Sequence, residues 1–385
     1  MSLARGESCF ASVKNMRFPL LLICIAADLG TAVAAAPSSF ASPLQIGVVG
    51  LVHGHVEGFF NTALKRPDVQ IIGIAEPDRK LFDKYAARYH LDPKLYFSSV
   101  SEMLSKAHPR AVVLYTNTFD HRRAVEECAS GGVHVMMEKP LAVSYEDARA
   151  MAVAARKGNI QVLVNYETTW YRSNRAAYDL LRKGALGDLR KLVVHDGHQG
   201  PKEIGVPPEF FHWLTDPKLN GAGALFDFGC YGADLATWLS SGQAPETVTA
   251  VTQQIKPDIY SRVDDEADIV LKYPKAIAIL QASWNWPFDR KDMEVYGRIG
   301  FVKTIRRDKI DVRLENEKES RVVSPGPLPA PYDDSLRYFA ATISGEIHDE
   351  LSLSSLKTNV LVTEILDAAR QSAREGRTIR LPLND

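Results

Sequence analysis

Cysteine is nearly absent from this chain: there are 4 in 385 residues, and two of them, Cys9 and Cys24, fall within the first 36. The other two, Cys128 and Cys230, make no disulfide framework and have no metal-ligand spacing, so they read as small apolar core residues. An excess of charge of one sign is missing as well. The formal net charge is −1, which leaves no electrostatic case for a nucleic-acid partner. The locally basic stretch from Lys303 to Arg313 is interleaved with apolar residues and reads as a solvated strand face. A membrane-spanning run is lacking too: the apolar segment Phe18 to Ala27 is too short to cross a bilayer comfortably. Lys14 and Arg17 precede it and the small residues Ala32-Val33-Ala34 follow, which is the order of a secretory signal peptide, placed here at residues 1–36. Export to the periplasm or beyond is therefore expected, with no membrane contact after the signal is removed. A misassigned start would leave the protein cytoplasmic. No twin-arginine pair precedes the run.

What remains is an ordinary globular composition, 45% apolar, long enough for about two domains. The first reads as residues 44–165. Leu44 to Val49 is a strand running into Gly50-Leu-Val-His-Gly54-His55, with a helix-like continuation through Phe60 and Leu64. Val69 to Ala75 is a second strand ending at Glu76. Arg79 to Tyr89 is a helix, Ala111 to Tyr115 a strand, Asp120 to Ala129 a helix, and Val133 to Met137 a further strand. Strands alternating with helices predict a doubly wound parallel sheet, a Rossmann-type α/β domain.

Several residues at the strand ends carry chemistry. In such a sheet the first strand-to-helix turn cradles a pyrophosphate, and ligands lie at the carboxyl edge. Gly50 fills the first place of G-x-G-x-x-G, but Val52 stands second and His55 third, with Gly54 displaced by one. Glu76 is placed to accept hydrogen bonds from an adenosine ribose, which favours NAD(H). Arg79 and Lys80 follow closely and keep NADP(H) open. His53 and His55 lack a third metal ligand nearby in the sequence, so they read as loop histidines facing a nucleotide, and no metal is expected. Pro140 ends the strand carrying Glu138 and Lys139, delivering Lys139 at the ligand edge.

Together these features resemble the glucose–fructose oxidoreductase / inositol dehydrogenase / rhizopine-catabolism (Gfo/Idh/MocA) superfamily. The motifs are the acid after the second strand, Thr116-Asn117 with His121 after the fourth, Glu138-Lys139-Pro140, and Asp227-x-Gly229-x-Tyr231 within 221–234. A closing helix around 368–377 agrees, and the glycine loop departs from the pattern. The resemblance implies that Thr116, Asn117, His121, Glu138 and Lys139 join the loop residues and Glu76 at the cofactor, and that Lys139, Asp227 and Tyr231 do the chemistry. Asp227 and Tyr231, four apart, would share one helical face. A free phenol titrates near ~10, and a neighbouring Lys139 ammonium is expected to lower that value and make Tyr231 a usable base.

The second domain, 166–385, is expected to hold an open, mostly antiparallel sheet that binds substrate on one face and builds a homo-dimer or homo-tetramer with the other. Its strands read as 190–195, 247–255, 267–273, 276–284, 293–295 and 301–306. Tyr166, Trp170 and His195 are the expected substrate contacts, with His198, Trp284 and Trp286 as further wall residues. The resemblance implies an NAD(P)-dependent oxidoreductase acting on a hydroxyl carbon of a sugar, cyclitol or glycoside. Two alternatives stay open: a glycosidase or lyase that recycles its cofactor internally, and a non-catalytic sugar- or nucleotide-sensing protein.

Overall fold

A computed structural model of the chain describes residues 43–383. The expected signal segment 1–36 lies outside the described residues. Strands β1 (Leu44–Val49), β2 (Val69–Ala75), β3 (Tyr96–Phe97), β4 (Ala111–Leu114), β5 (His134–Glu138) and β6 (Val162–Asn165) form one sheet in the order β3-β2-β1-β4-β5-β6. Every pairing in it is parallel. Helices α1 (Val56–Ala63), α2 (Arg79–Tyr89), α3 (Val100–Ala107), α4 (His121–Ser130) and α5 (Tyr145–Gly158) connect its strands. The order reverses between β1 and β4, which opens a crevice at the carboxyl edge where such sheets take ligands. The central strands β1 and β4 are almost wholly apolar and buried, as strands covered on both faces must be.

The second sheet has nine strands: β7 (Leu189–Gly197), β8 (Thr247–Gln253), β9 (Glu266–Lys272), β10 (Ile277–Ser283), β11 (Arg290–Gly297), β12 (Phe301–Arg306), β13 (Lys309–Arg313), β14 (Arg321–Val323) and β15 (Ile379–Arg380). The order is β14-β13-β12-β11-β7-β10-β9-β8-β15, and only β7 with β10 is parallel. The six expected strands are all present with ends displaced by a few residues, while β13 to β15 were not anticipated. Helix α6 (Arg172–Arg182) precedes this sheet. Then come α7 (Pro208–Leu214), α8 (Pro217–Asn220), α9 (Ala224–Asp227), α10 (Gly229–Leu239), α11 (Ser335–Ser344) and α12 (Leu356–Glu375). Every residue of α10 is buried, because the helix lies across the second sheet under α12. Ser355 caps α12 by accepting from the Thr358 amide, and Gly376 ends it at φ 63°.

The chain boundary expected near residue 165 does not divide the packing. Leu336, Tyr338, Phe339 and Ala341 of α11 complete the apolar cluster built from β1, α1 and α2. The amide of Val164 on edge strand β6 donates to Ser354 O at 2.9 Å, so the later chain also covers that edge. One close approach fixes α4 against α5: a Cβ on Gly158 would lie 2.3 Å from the carbonyl oxygen of Ala129. Gly58, within α1, has open space where a Cβ would stand. Gly158→Ala is therefore expected to cost about 1–3 kcal/mol in urea unfolding. Gly58→Ala should instead stabilise by roughly 0.5–1 kcal/mol through helix propensity.

Candidate active site

β5 ends in Glu138 and hands Lys139 to the second half of the molecule. The Lys139 ammonium donates to the backbone carbonyl of Asp227 at 2.9 Å and is hydrogen bonded to its carboxylate. Asp227 closes α9, and its other oxygen accepts Trp284 Nε1–H at 2.9 Å. All three side chains are buried. Burial works against both charges. Even so, the ion pair and its hydrogen bonds hold the Asp227 carboxyl below its usual value and the Lys139 ammonium above its own.

Tyr231 lies in the first turn of α10, and its ring centroid is 5.2 Å from the Lys139 ammonium and 4.8 Å from that of Lys291. The expectation that Lys139 makes it a base does not hold. Burial raises the phenol well above its usual value, the neighbouring Cys230, Glu167, Glu138 and Asp227 raise it further, and the charge of Lys139 is taken by Asp227. Tyr231 is a neutral phenol here, a donor.

The expected substrate residues fare unevenly. Tyr166 is fully buried; its hydroxyl donates to Asn359 Oδ1 at 2.9 Å and its ring supports Tyr231 edge-on at 5.4 Å, so it lies beneath the site. Trp170 donates through Nε1 to Asn165 Oδ1 at 3.0 Å and lines a separate cavity of about 210 Å³ with Tyr178, Trp238, Tyr332 and Tyr338. His195 is paired across β11 with Asp292 and bonded to it at 3.0 Å. Side chains alternate along a strand, so His195 lies on the face opposite Asp196, which faces Lys291. His198, just past the strand, is the histidine near Asp227. Its ring meets Phe228 edge-on at 4.8 Å, and its Nδ1 accepts the Gly200 amide at 2.9 Å, leaving the proton on Nε2 as a donor. Burial lowers its basicity while Asp227 opposes that. Trp284 is not a pocket wall; it anchors Asp227. Trp286 is half-buried beside the Arg290 guanidinium, 5.9 Å from its ring.

At the crevice Gly50 has φ +78°, and a Cβ there would meet Thr116 Cγ2 at 2.6 Å. Glu76 is buried at the end of β2; one oxygen accepts the Leu51 amide at 2.8 Å and the other the Asp78 amide at 2.9 Å. Asn117 brackets Asp120 with both ends of its amide, and buried His121 holds Leu141 O at 3.2 Å, so both brace the loops. His53 is buried between Phe210 and Trp213 of α7, at 4.6 and 5.4 Å between ring centroids, and burial pushes its basicity well down. Its Nδ1 accepts the His55 amide at 3.2 Å, while His55 Nδ1 lies 3.0 Å from Glu138 Oε2. The fold thus brings a third potential ligand, Glu138, to a histidine pair expected to lack one. The three groups already answer one another's hydrogen bonds. Trp213, which sequence reasoning missed, donates through Nε1 to Val52 O at 3.2 Å.

Asp227→Asn should destabilise the fold by about 3–5 kcal/mol at pH 7, because it leaves a buried ammonium without its counter-charge. Trp284→Phe should cost about 1–3 kcal/mol. Asp227 titrates lower in the folded state than the usual ~3.9 of an unfolded chain, so its contribution is present above that value. It is lost as pH falls through the folded value, and urea unfolding across pH should show the Asp227→Asn deficit shrinking below about pH 4.

A family model described as an oxidoreductase family with an NAD-binding Rossmann fold matches residues 44–166, and a GFO/IDH/MocA C-terminal domain matches residues 174–303. Trans-1,2-dihydrobenzene-1,2-diol dehydrogenase of Macaca fascicularis is 28% identical over 228 residues, 59% of this chain and 63% of the relative. The match thus spans under two thirds of that relative's length. In structure, the chain is similar to aldose-aldose oxidoreductase from Caulobacter crescentus, with a TM-score of 0.75 and 22% identity over 88% of this chain and 100% of that one. It is likewise similar to an inositol dehydrogenase homolog from Azotobacter vinelandii complexed with NAD+, with a TM-score of 0.76 and 18% identity over 89% and 98% of the two chains. The fold, the ordered motifs and the two matched domains agree: this chain belongs to the GFO/IDH/MocA oxidoreductase family.

Proposed function

We propose that the protein is an NAD(P)-dependent oxidoreductase that moves hydride to or from a hydroxyl-bearing carbon of a sugar, cyclitol or glycoside. The observation that carries this is the convergence of Lys139, Asp227 and Tyr231 beside the carboxyl edge that bears Glu76. The donor set fits a dinucleotide at both ends, with Glu76 for an adenosine ribose and Glu138-Lys139 near the reacting carbon, and the acid at position 76 favours NAD(H). The relatives support the same reading: an NAD-binding model matches the first domain, and one structural neighbour was solved with NAD+.

A bound nicotinamide supplies the hydride acceptor or donor. The protein's own groups manage the oxygen. The Lys139 ammonium, locked by Asp227, stabilises negative charge developing on a substrate oxygen in a dry site. In the reducing direction the Tyr231 hydroxyl gives its proton to that oxygen as hydride arrives. In the oxidising direction the same phenol oxygen, deprotonated, receives the substrate hydroxyl proton as hydride leaves, with His198 as a further hydrogen-bond donor. Lys139→Ala and Tyr231→Phe are each expected to lower kcat by about 100-fold or more, read as the change in nicotinamide absorbance. Unchanged turnover in either would remove the role assigned to that residue.

A second reading, in which the nucleotide stays bound and returns its hydride within each cycle, is favoured by one contact. Phe210 stands 2.8 Å from where a Cβ of Gly54 would lie, so α7 covers the loop that would hold the pyrophosphate. Retention of this kind suits an exported enzyme, which is the reading the signal-like order of the first 36 residues supports. Assembly into a homo-dimer or homo-tetramer is supported by exposed Val251, Val270, Ile277 and Val322 on the outer face of the nine-stranded sheet. Among the described residues no helix is long and apolar enough to cross a membrane. Native followed by denaturing mass spectrometry of the purified protein tests all of this. It should show one NAD(H) per subunit, loss of about 36 residues, and more than one subunit. Phe210→Ala should release the nucleotide faster. A protein that is empty and binds neither NAD(H) nor NADP(H) would move the assignment to a non-catalytic sensor.

A further inference from the structure

Leu192, Val194 and Asp196 of β7 share one face of the second sheet, the face packed against α10. Asp196 stands directly opposite Lys291 of β11, so their side chains project together. Lys291 reaches over the Tyr231 ring, at 4.8 Å from its centroid, and lies 6.0 Å from that of Phe228. It is tied there by Glu167, which is hydrogen bonded to Arg307 as well. Burial would raise the Glu167 carboxyl, yet Lys291 and Arg307 hold it at about 2, so Lys291 is a fixed, paired cation. Asp196 itself is only 1% exposed, no more open to solvent than Tyr231 at 2%. Neither of its carboxyl oxygens has a hydrogen-bond partner. Burial pushes this acid well above its usual range against the pull of Lys291, toward the carboxyl form that has one O–H to donate and oxygens free to accept.

We infer that Asp196, backed by Lys291, binds a substrate hydroxyl beside the reacting one and thereby selects a polyhydroxylated ring over an apolar cyclic diol. The inference rests on the dehydrogenase reading above and deepens it. A buried carboxyl left against a hydrocarbon ring stays unpartnered, whereas a ring hydroxyl can accept from it and donate to it at once. Sites built to hydrogen-bond a hydroxyl reject analogues that lack it by as much as about 10⁴-fold. None of the chemical steps assigned to Lys139, Asp227 and Tyr231 uses this group.

The test compares wild-type holoprotein with Asp196→Asn and Asp196→Leu. The probes are myo-inositol, D-glucose and methyl glucoside, against trans-cyclohexane-1,2-diol, which keeps the vicinal diol and drops the other hydroxyls. For the best polyol, Asp196→Leu should lower kcat/KM by about 100-fold or more while leaving cyclohexanediol unchanged or improved. The amide of Asp196→Asn still donates and accepts, so that variant should stay within about tenfold of wild type. Binding by calorimetry is measured alongside turnover, so that the two proposals fail separately. If no probe is oxidised but polyol binding depends on Asp196, the dehydrogenase reading falls and the hydroxyl subsite stands. Equal losses on polyols and cyclohexanediol, polyol binding indifferent to Asp196→Leu, or no polyol binding by wild type would each overturn the subsite. Asp196→Leu removes an unpartnered acid from the interior, and an undiminished Tm would verify its fold.

Discussion

The ion pair between Lys139 and Asp227 joins the two halves of this molecule, and most of the site takes its position from it. Lys139 is the last residue β5 delivers before Pro140, and Asp227 ends a one-turn helix of the second half. Neither could hold a charge alone in so buried a place, since desolvation opposes both. Paired, they turn a costly burial into a geometric constraint. The ammonium can only be satisfied where Asp227 offers both its carbonyl and its carboxylate, and the carboxylate only where Trp284 offers its N–H. The start of α10, with Phe228 and Tyr231, is thereby set against the carboxyl edge of the first sheet. An apolar substitute could fill that volume, but it would not aim a cation at a reacting oxygen.

The same burial decides the protonation state of what surrounds the pair. Tyr231 and Asp196 are pushed toward their neutral forms because each lacks a dedicated counter-charge, whereas Glu138 and Glu167 remain ionised because His55, Lys139, Lys291 and Arg307 face them. The cluster therefore combines a few fixed, paired charges with neutral hydrogen-bond donors. Such an arrangement needs little reorganisation when charge develops on a substrate oxygen, which is where electrostatic catalysis gains most.

Much of this was legible in the sequence. The parallel sheet followed from apolar runs alternating with helical segments, and proline after lysine placed Lys139 at the ligand edge. The ordered motifs brought Asp227 to the site, though not as the partner of Lys139. What could not be read was parity and tertiary burial. A one-residue shift decides which face of a strand a side chain takes, so the choice between His195 and its neighbours required the β7–β11 register. Trp284 looked like a carbohydrate wall because a sequence shows an aromatic ring without showing that its N–H is committed elsewhere. The phenol of Tyr231 was expected to be acidified because proximity to Lys139 was foreseeable, while the prior claim of Asp227 on that lysine and the dryness of the site were not. Helix α11 returns to the first core across more than 160 residues of chain, a contact that no local pattern encodes.

The departures in the glycine loop have a structural logic of their own. A glycine-rich turn works by leaving backbone amides bare for phosphate. Here the Leu51 amide is bound by Glu76, the His53 amide by Tyr115 O and the His55 amide by the His53 ring. Phe210 and Trp213 rest on the outer side of the turn. The side chains that replace glycine extend the loop inward: His55 reaches Glu138, Asn165 lies 3.5 Å from the other oxygen of Glu138, and Trp170 holds Asn165. A loop made this way is stiffer than one of bare glycines, because its conformation is held by side-chain bonds to the very strand that presents Lys139. Movement at the cofactor edge and movement at the reacting centre are thus coupled through Glu138. A nucleotide held at this loop would leave only as α7 lifts from it, because Phe210 and Trp213 stand against the same turn.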